Sequence, residues 1–234
     1  MTDGAGAGAA VPEGARDAGP APAREVLVVR TGVANVASML AGLRRAGAEP
    51  HLSDDPEVVR AARAVVLPGV GAFAAGVKSL AERGLDAAIA ERVREGRALL
   101  AVCLGLQLLL DASEEGPGER GLGVASGAAR RFEDGPGVRV PQLGWNRVVP
   151  DTGCALLKEG YAYFANSYRL VTPPPGFACA MADHGGPFVA AFERGPVLAC
   201  QFHPELSGAW GIDLLRRWLA TALGEEEASC SQRA

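Results

Sequence analysis

The sequence predicts an α/β fold, with a mostly parallel central sheet flanked by helices and with antiparallel strands added to that sheet. Three observations support this prediction. Short apolar runs alternate with helical segments through the first half of the chain, a pattern typical of parallel strands joined by helices. From Gly123 onward, short extended pieces are separated by glycine and proline, which indicates antiparallel strands. Between the two halves, an apolar run at 98–102 ends at Cys103 and continues into helical sequence without a turn signal.

The first half contains the predicted parallel strands and the helices between them. The strands are expected at 25–29, 49–52, 64–67 and 98–102, and the helices at 36–46, from 56 onward, at 72–81 and at 85–94. Asn35 suits the N-cap of the first helix, and Asp54-Asp55-Pro56 is a start signal for the second. The turn Pro68-Gly69-Val70-Gly71 follows the third strand, and its glycines allow backbone N–H groups to face outward there. If the third and fourth strands are neighbours, these donors lie beside Cys103.

The second half is expected to end in a helix and a short tail. Its predicted strands lie at 127–132, 147–149, 161–165, 177–182, 188–192 and 197–202, and its helix at about 212–223. Residues 1–24 are rich in Ala, Gly and Pro, carry charges and lack an apolar core, so we expect a disordered tail rather than a secretory or mitochondrial leader. With a polar tail at 224–234, one domain at 25–223 remains.

The composition excludes several classes of partner and site. The chain has 234 residues, a formal net charge of −4 and 48% hydrophobic residues. This charge argues against nucleic acid and anionic membranes as partners. No segment reaches the length of an apolar membrane helix, so no membrane association is expected. Five cysteines without CxxC spacing argue against disulfides and a zinc site, so we expect no metal, no cofactor and a cytoplasmic location.

The strand that ends at Cys103 has the features of a nucleophile elbow. Ala101 and Gly105 stand two residues before and after the cysteine, where a sharp turn needs small residues because backbone approaches backbone. The N–H groups that open the next helix face whatever the thiol attacks. A thiol with an ordinary pKa of about 8.5 needs a base or a positive potential nearby. The alternative interpretation is a small buried hydrophobe, so other residues must decide.

Three histidines are available as the base, at 51, 184 and 203. His203 ends the apolar run at 197–202, and Pro204 disfavours helical geometry at His203. Glu205 lies two residues on, so in extended geometry the two side chains share a face, and the carboxylate can orient the imidazole. The alternative is a surface pair on a turn. His51 and His184 lie in loop-like contexts and are expected to be exposed.

The two motifs together carry a family resemblance. Val102-Cys103-Leu104-Gly105-Leu106-Gln107 and Gln201-Phe202-His203-Pro204-Glu205 are similar to the two signatures of class I glutamine amidotransferases. These are Cys-His-Glu enzymes that hydrolyse L-glutamine to L-glutamate and ammonia. The resemblance covers about residues 25–223, and the order and separation of the two motifs make it more specific than either motif alone.

Further segments resemble one group within this family, the glutaminase subunits of imidazole glycerol phosphate synthase. They are Pro68-Gly69-Val70-Gly71-Ala72-Phe73, Pro141-Gln142-Leu143-Gly144-Trp145-Asn146, Tyr163-Phe164-Ala165-Asn166-Ser167-Tyr168 and residues 201–208. This resemblance implies a heterodimer in which ammonia passes to a (β/α)8-barrel cyclase subunit that forms imidazole glycerol phosphate for histidine synthesis. It also implies low glutaminase activity in the isolated chain.

The resemblance implies a role for each matching residue. Cys103 attacks the substrate amide, His203 carries the proton to the leaving ammonia, and Glu205 orients His203. The backbone N–H of Leu104 and one from Val70 or Gly71 form the oxyanion hole. The residues expected to hold the amino-acid end of glutamine are Gln107, Glu115, Ser167 and Tyr168, and those expected at the cyclase interface are Asn35, Trp145, Asn146 and Tyr163.

Some positions depart from the family pattern. The usual Gly-X-Gly-Asn is Gly32-Val33-Ala34-Asn35 here, Arg30 stands where an aromatic is common, and Gln142 and Asn166 stand where histidine is usual. These changes leave the triad untouched but affect the surface expected to face the cyclase. Three alternatives remain open: a glutaminase for another ammonia acceptor, such as pyridoxal 5′-phosphate synthase; a non-catalytic regulatory subunit that keeps the fold; and a general cysteine hydrolase or peptidase.

Overall fold

A computed structural model describes residues 24–31 and 36–225 of the chain. Its elements are β1 (Glu25–Val29), α1 (Val36–Arg45), β2 (Glu49–Ser53), α2 (Pro56–Ala61), β3 (Val65–Gly69), α3 (Phe73–Glu82), α4 (Leu85–Arg94), β4 (Leu99–Cys103), α5 (Leu104–Leu108), β5 (Ala112–Ser113), β6 (Ala128–Arg131), β7 (Gln142–Pro150), β8 (Gly160–Asn166), β9 (Tyr168–Leu170), β10 (Ala178–Asp183), β11 (Pro187–Arg194), β12 (Val197–Cys200), a 3₁₀ turn (Pro204–Leu206) and α6 (Gly208–Leu223). The predicted alternation of strands and helices in the first half is confirmed. The start signal of α2 also acts as expected, because the Asp55 carboxylate accepts a hydrogen bond from the Glu57 N–H at 2.8 Å.

The strands form one sheet with a parallel and an antiparallel part. Strands β2, β1, β3, β4 and β12 lie side by side and run parallel. From β12, the sheet continues through the antiparallel strands β11, β10, β7 and β8. The predicted fold class, a mostly parallel sheet with antiparallel strands added, is confirmed.

The position of β4 between β3 and β12 brings distant parts of the chain together. Gly69 at the end of β3 pairs with Cys103, and Cys200 at the end of β12 pairs with Val102. All three strands are parallel, so their carboxyl ends lie at the same edge of the sheet. The glycine turn after β3 and the His203 segment after β12 therefore flank the cysteine.

Helices cover both faces of the sheet. Alternate β1 residues belong to different cores, with Val26 and Val28 in one and Leu27 and Val29 in the other. Helices α1 and α6 pack on the first face, where Trp218 is fully buried. Helices α3, α4 and α5 pack on the second face. Buried cores on both faces explain why the parallel strands are apolar throughout.

Two strand predictions in the second half differ from the structure, and one strand was missed. The strand predicted at 147–149 is the nine-residue β7, whose first half has an inverted pattern: Gln142 is 4% exposed, whereas Leu143 and Trp145 are 68% and 58% exposed. The sequence pattern of such a strand is misleading, because its apolar side chains are exposed, whereas a strand is normally recognised by apolar residues at buried positions. The strand predicted at 197–202 ends at Cys200, before Gln201 and Phe202. The three-residue β9 was not predicted.

Both predicted tails lie almost entirely outside the described residues. The exceptions are Arg24, Gly224 and Glu225, and the Arg24 guanidinium forms an ion pair with the Glu225 carboxylate at 2.6 Å. The predicted N-cap Asn35 and the Gly32-Val33-Ala34 segment before it also lie outside them. Among the described helices, none combines the length and the apolar character needed to cross a membrane.

Candidate active site

The turn from β4 into α5 holds Cys103 in a strained conformation. Its φ and ψ are 55° and −110°, and it is the one described non-glycine residue with positive φ. Such strain persists only where the surrounding structure enforces it, and it is common at functional positions. Helix α5 begins at the next residue, Leu104. The strand, sharp turn and helix predicted around Cys103 are therefore present.

Close backbone contacts explain the small residues around this turn. A Cβ atom on Gly105 would lie 2.2 Å from the carbonyl oxygen of Leu67 on β3. A Cβ atom on Gly69 would lie 2.8 Å from the backbone nitrogen of Gly105. Both distances are far below van der Waals contact, so glycine is required at both positions. The turn is thus packed directly against the end of β3.

His203 follows β12 and faces the cysteine. Its backbone N–H donates to the Tyr163 carbonyl of β8 at 2.9 Å. Its Nδ1 atom lies 2.9 Å from Oε1 of Glu205, and both side chains are nearly buried. Because Nδ1 faces the carboxylate, Nε2 remains for the hydrogen bond with the Cys103 side chain. The predicted extended geometry was wrong: Glu205 lies in the 3₁₀ turn Pro204–Leu206, and that turn brings the carboxylate to the imidazole.

These contacts control the protonation of His203. Burial lowers its pKa, but the hydrogen bonds with Cys103 and Glu205 and the negative charges of both side chains together raise the pKa from 6.5 to about 10. The raised pKa favours the imidazolium form of His203. Because the folded-state pKa is the higher one, this group contributes its full stabilisation below pH 6.5, and the contribution is lost as the pH rises toward about 10.

We expect the Cys103→Ala substitution to lower the pKa of His203. The change removes a hydrogen bond and a negative charge while the burial that lowers the pKa remains. Glu205→Gln should shift the pKa in the same direction. NMR titration of the imidazole signals measures both effects, with the native chain as the reference. A His203 titration that is identical in the native chain and in both variants would contradict this account.

An open cavity of about 440 Å³ lies in front of Cys103 and His203. Its lining consists of Val70, Gly71, Cys103, Leu104, Gln107, Glu115, Ala165, Asn166, Ser167, Tyr168 and His203. The predicted oxyanion-hole and substrate-binding residues thus all line one cavity with the cysteine and the histidine. Glu205 lies behind His203 and is not part of the lining. The volume suits a small molecule rather than an extended polymer.

Two groups of backbone donors border this cavity. Leu104 opens α5 beside the sulfur, and Val70 and Gly71 form the turn after β3. Gly71 has a φ of 102°, a conformation that favours glycine. The roles of these N–H groups in an oxyanion hole stay predictions, because the N–H groups must point at a substrate oxygen to act in this way.

The predicted substrate-binding residues have specific partners. Gln107 is buried, and its Nε2 donates to the side chain of Gln201 at 3.0 Å. The Glu115 carboxylate accepts a hydrogen bond from the Phe73 N–H at 2.7 Å, so it caps the first turn of α3. Ser167 and Tyr168 follow β8 at the cavity wall. Gln107 and Glu115 are therefore both held by hydrogen bonds at the cavity, and neither is a solvated surface residue without a partner.

The predicted interface residues lie on the β7–β8 hairpin. The rings of Trp145 and Tyr163 meet edge to face at a centroid distance of 6.3 Å. Asn146 is half-buried, and its amide donates to the Asp183 carbonyl at 2.7 Å. Asn35, as stated above, lies outside the described residues. The hairpin also carries the exposed Leu143, so an apolar surface adjoins the cavity.

Sequence reasoning missed one residue that touches the sulfur and misjudged two histidines. Gln201 was quoted in a motif but assigned no role, although a glutamine inside an apolar run was the available signal; its Nε2 lies 3.7 Å from Sγ of Cys103. His184 is half-buried rather than exposed, and its Nε2 lies 2.8 Å from the Arg139 carbonyl oxygen. His51 is exposed as expected, but it belongs to β2 rather than to a loop.

The described residues include no cluster of three or more His, Cys, Asp or Glu side chains that could hold a metal ion. The side chains of a cysteine, a histidine and a glutamate in hydrogen-bonding sequence form the arrangement used for nucleophilic attack on carbonyl carbon.

Comparison with known proteins identifies the family. The model of the family described as glutamine amidotransferase class-I matches residues 34–221. The chain belongs to this family. A crystal structure of a glutamine amidotransferase has the same fold, with a TM-score of 0.67 and 23% sequence identity over 85% of this chain and 98% of that one.

Two curated relatives are much more similar in sequence to this chain than the glutamine amidotransferase of known structure is. Imidazole glycerol phosphate synthase subunit HisH from Symbiobacterium thermophilum is 41% identical, over 82% of this chain and 92% of the relative. The protein of the same name from Deinococcus radiodurans is 41% identical, over 86% of this chain and 96% of the relative. The family resemblance inferred from the two motifs is confirmed.

Proposed function

We propose that this chain is the glutaminase subunit of an imidazole glycerol phosphate synthase. It hydrolyses L-glutamine to L-glutamate and delivers the ammonia to a cyclase subunit. The observation that carries the proposal is the hydrogen-bonding sequence of Cys103, His203 and Glu205, with Cys103 and His203 lining one cavity and Glu205 behind His203. The similarity to HisH subunits over most of the chain supports the choice of acceptor.

The geometry accounts for the first half of the reaction. The Cys103 thiolate attacks the side-chain amide carbon of glutamine, and the carbonyl π electrons move to its oxygen. Backbone N–H groups of Leu104 and of Val70 or Gly71 stabilise this oxyanion, and one such donor contributes about 3 kcal/mol to lowering a barrier. The His203 imidazolium gives its proton to the amide nitrogen. The C–N bond then breaks, and ammonia leaves a thioester on Cys103.

The second half reverses the roles of the same groups. Neutral His203 takes a proton from water while the water oxygen attacks the thioester carbon. The C–S bond breaks, the new carboxyl group gives its proton to solvent as glutamate leaves, and the thiolate–imidazolium pair is restored. Glu205 holds the imidazole orientation through Nδ1 in both halves. No group outside the chain and its two substrates, glutamine and water, is needed for the balance of atoms.

The cavity offers suitable partners for the amino-acid end of glutamine. Gln107 and Glu115 supply polar atoms for the α-ammonium group, and the Ser167-Tyr168 segment supplies backbone and side-chain donors for the α-carboxylate. The Glu115 carboxylate is already held at the start of α3, which keeps it in place for the substrate. A small zwitterion suits this lining better than an extended peptide does.

The β7–β8 hairpin is the proposed docking face for the cyclase. Leu143, Trp145 and Tyr161 are 68%, 58% and 60% exposed, and exposed apolar surface of this kind marks a protein contact. The face borders the cavity through Ala165 and Asn166 of β8. We expect ammonia released at Cys103 to pass from this cavity to a partner seated on that face. The domain predicted at 25–223 and a cytoplasmic location complete the proposal.

The test is glutamate release from glutamine by the chain alone and mixed with a cyclase subunit and its ribonucleotide substrate. We expect low basal release, stimulation by the cyclase, and weaker stimulation of Trp145→Ala because a large apolar contact is lost. Val58→Ala is the control, since Val58 is exposed on α2, outside the hairpin. If the rate of glutamate release is unchanged by the cyclase but increases with another ammonia-accepting synthase, the choice of partner is wrong. Absence of release with every partner would favour a non-catalytic subunit.

A further inference from the structure

The side chain of Gln201 links the Cys103 sulfur to the substrate side of the cavity. Gln201 is fully buried in the bend after β12. Its Nε2 lies 3.7 Å from Sγ of Cys103, within the range of an N–H to sulfur hydrogen bond. Its Oε1 accepts a hydrogen bond from Nε2 of Gln107 at 3.0 Å. Both ends of this amide are therefore engaged, one of them at the reacting atom.

The orientation of the Gln201 amide follows from its neighbours. Nε2 of Gln107 also approaches the Tyr168 carbonyl oxygen at 3.4 Å, and a backbone carbonyl can only accept. Gln107 must therefore present its NH₂ group on this side, and Gln201 must meet it with oxygen. That leaves the NH₂ group of Gln201 facing the sulfur. The chain of donors thus has one consistent direction.

An N–H donor at this position favours the thiolate over the thiol. Hydrogen bonding to a charged group stabilises its charged form. We propose that Gln201 is a positioning residue that holds the Cys103 thiolate by this N–H and transmits the position of Gln107 to it. The link to substrate rests on the proposed function, in which Gln107 contacts glutamine. The link to the sulfur does not depend on that function.

Other groups also act on the sulfur and must be separated from Gln201. His203 hydrogen-bonds Cys103, and Glu205 acts on it through His203. Glu115 and Tyr168 line the same cavity. All four are titratable, whereas the amide of Gln201 has no charge at any accessible pH. Replacing Gln201 with methionine therefore removes one donor and one acceptor without changing the net charge around the cysteine.

The test is the pH dependence of Cys103 alkylation by iodoacetamide, followed at the Cys103 peptide by mass spectrometry. In Gln201→Met, we expect the half-maximal rate to move about one pH unit higher, since thiolate formation loses a donor. The matched control is Gln142→Met, because Gln142 is a second buried glutamine and is not part of the cavity lining. Its curve should match that of the native chain.

If the position of Gln107 is transmitted to the sulfur through Gln201, a relay of two amides, then replacing Gln107 should also shift the alkylation curve. Gln107→Met leaves Gln201 in place but removes the group that orients it, so we expect a smaller shift in the same direction. The double variant should shift no further than Gln201→Met alone, since both changes act through one amide. Thermal melts show which variants fold, and if Gln201→Met does not, Gln107→Met decides the proposal.

An unchanged alkylation curve in folded Gln201→Met, or in Gln107→Met if only that variant folds, would overturn the proposal. Fully additive shifts in the double variant would overturn the relay. Alkylation needs no glutamine, so these outcomes are independent of glutamate release. A chain without glutaminase activity in the presence of every partner tested, but with the expected shifts, would refute the proposed function and retain the role of Gln201 at the sulfur.

Discussion

Cys103→Ala is expected to lower cyclase-stimulated glutamate release by at least about 10⁴-fold. The substitution removes the atom that forms the thioester, and the remaining cavity can only orient water and glutamine. Cys103 is 8% exposed and the change is small, so the fold should persist. We expect the glutamate assay to show a loss of rate and the thermal melt to show that the variant is still folded.

Two further variants make this result specific. Cys154→Ala is the matched control, because Cys154 is a partly buried cysteine outside the cavity and should retain full activity. Cys103→Ser replaces the thiol with a hydroxyl and should remain far below the native rate, since a serine hydroxyl is much harder to deprotonate than a thiol. If Cys103→Ala released glutamate at a rate within tenfold of the native chain, the proposed nucleophile would be wrong.

The second large effect is expected from Gly105→Ala, which should destabilise the chain by about 3 kcal/mol. The added methyl group would lie 2.2 Å from the Leu67 carbonyl oxygen, and backbone cannot move aside as a flexible side chain can. Either β3 or the start of α5 must shift. The shift also displaces Cys103 from His203, and a displacement of about 1 Å can cost about 10²-fold in rate.

Denaturant unfolding and glutamate release together measure this effect. Gly135→Ala is the control, since a Cβ atom there has no neighbour within 4 Å and the residue is not among the glycines with positive φ. It should change neither the free energy of unfolding nor the rate. If Gly105→Ala were as stable and as active as Gly135→Ala, the tight contact between the turn and β3 would not exist in solution.

Local sequence was sufficient for the parts of this protein that depend on local geometry. Alternation of apolar runs and helical segments predicted the parallel core, because each strand there is buried on both faces and reads as apolar throughout. The small residues around Cys103 predicted the elbow, because a strained turn between a strand and a helix tolerates little else. Cys103, His203 and Glu205 were identified from such local patterns and the family resemblance.

Tertiary structure decided whatever depends on which segments become neighbours. No local pattern shows that β4 lies between β3 and β12, yet this order brings Cys103 to His203, about a hundred residues away. The reversed exposure of β7 likewise depends on which face of the hairpin is covered, with Gln142 inside and Trp145 outside.

The contacts of single side chains required the packed structure as well. Glu205 reaches His203 through a 3₁₀ turn rather than an extended segment. Gln201 gains its contact with the sulfur only when β12 pairs with β4, and its amide orientation is set by Gln107 and Tyr168 from other elements. Periodicity and turn propensity act over a few residues, whereas these contacts form when surfaces distant in sequence are buried against each other.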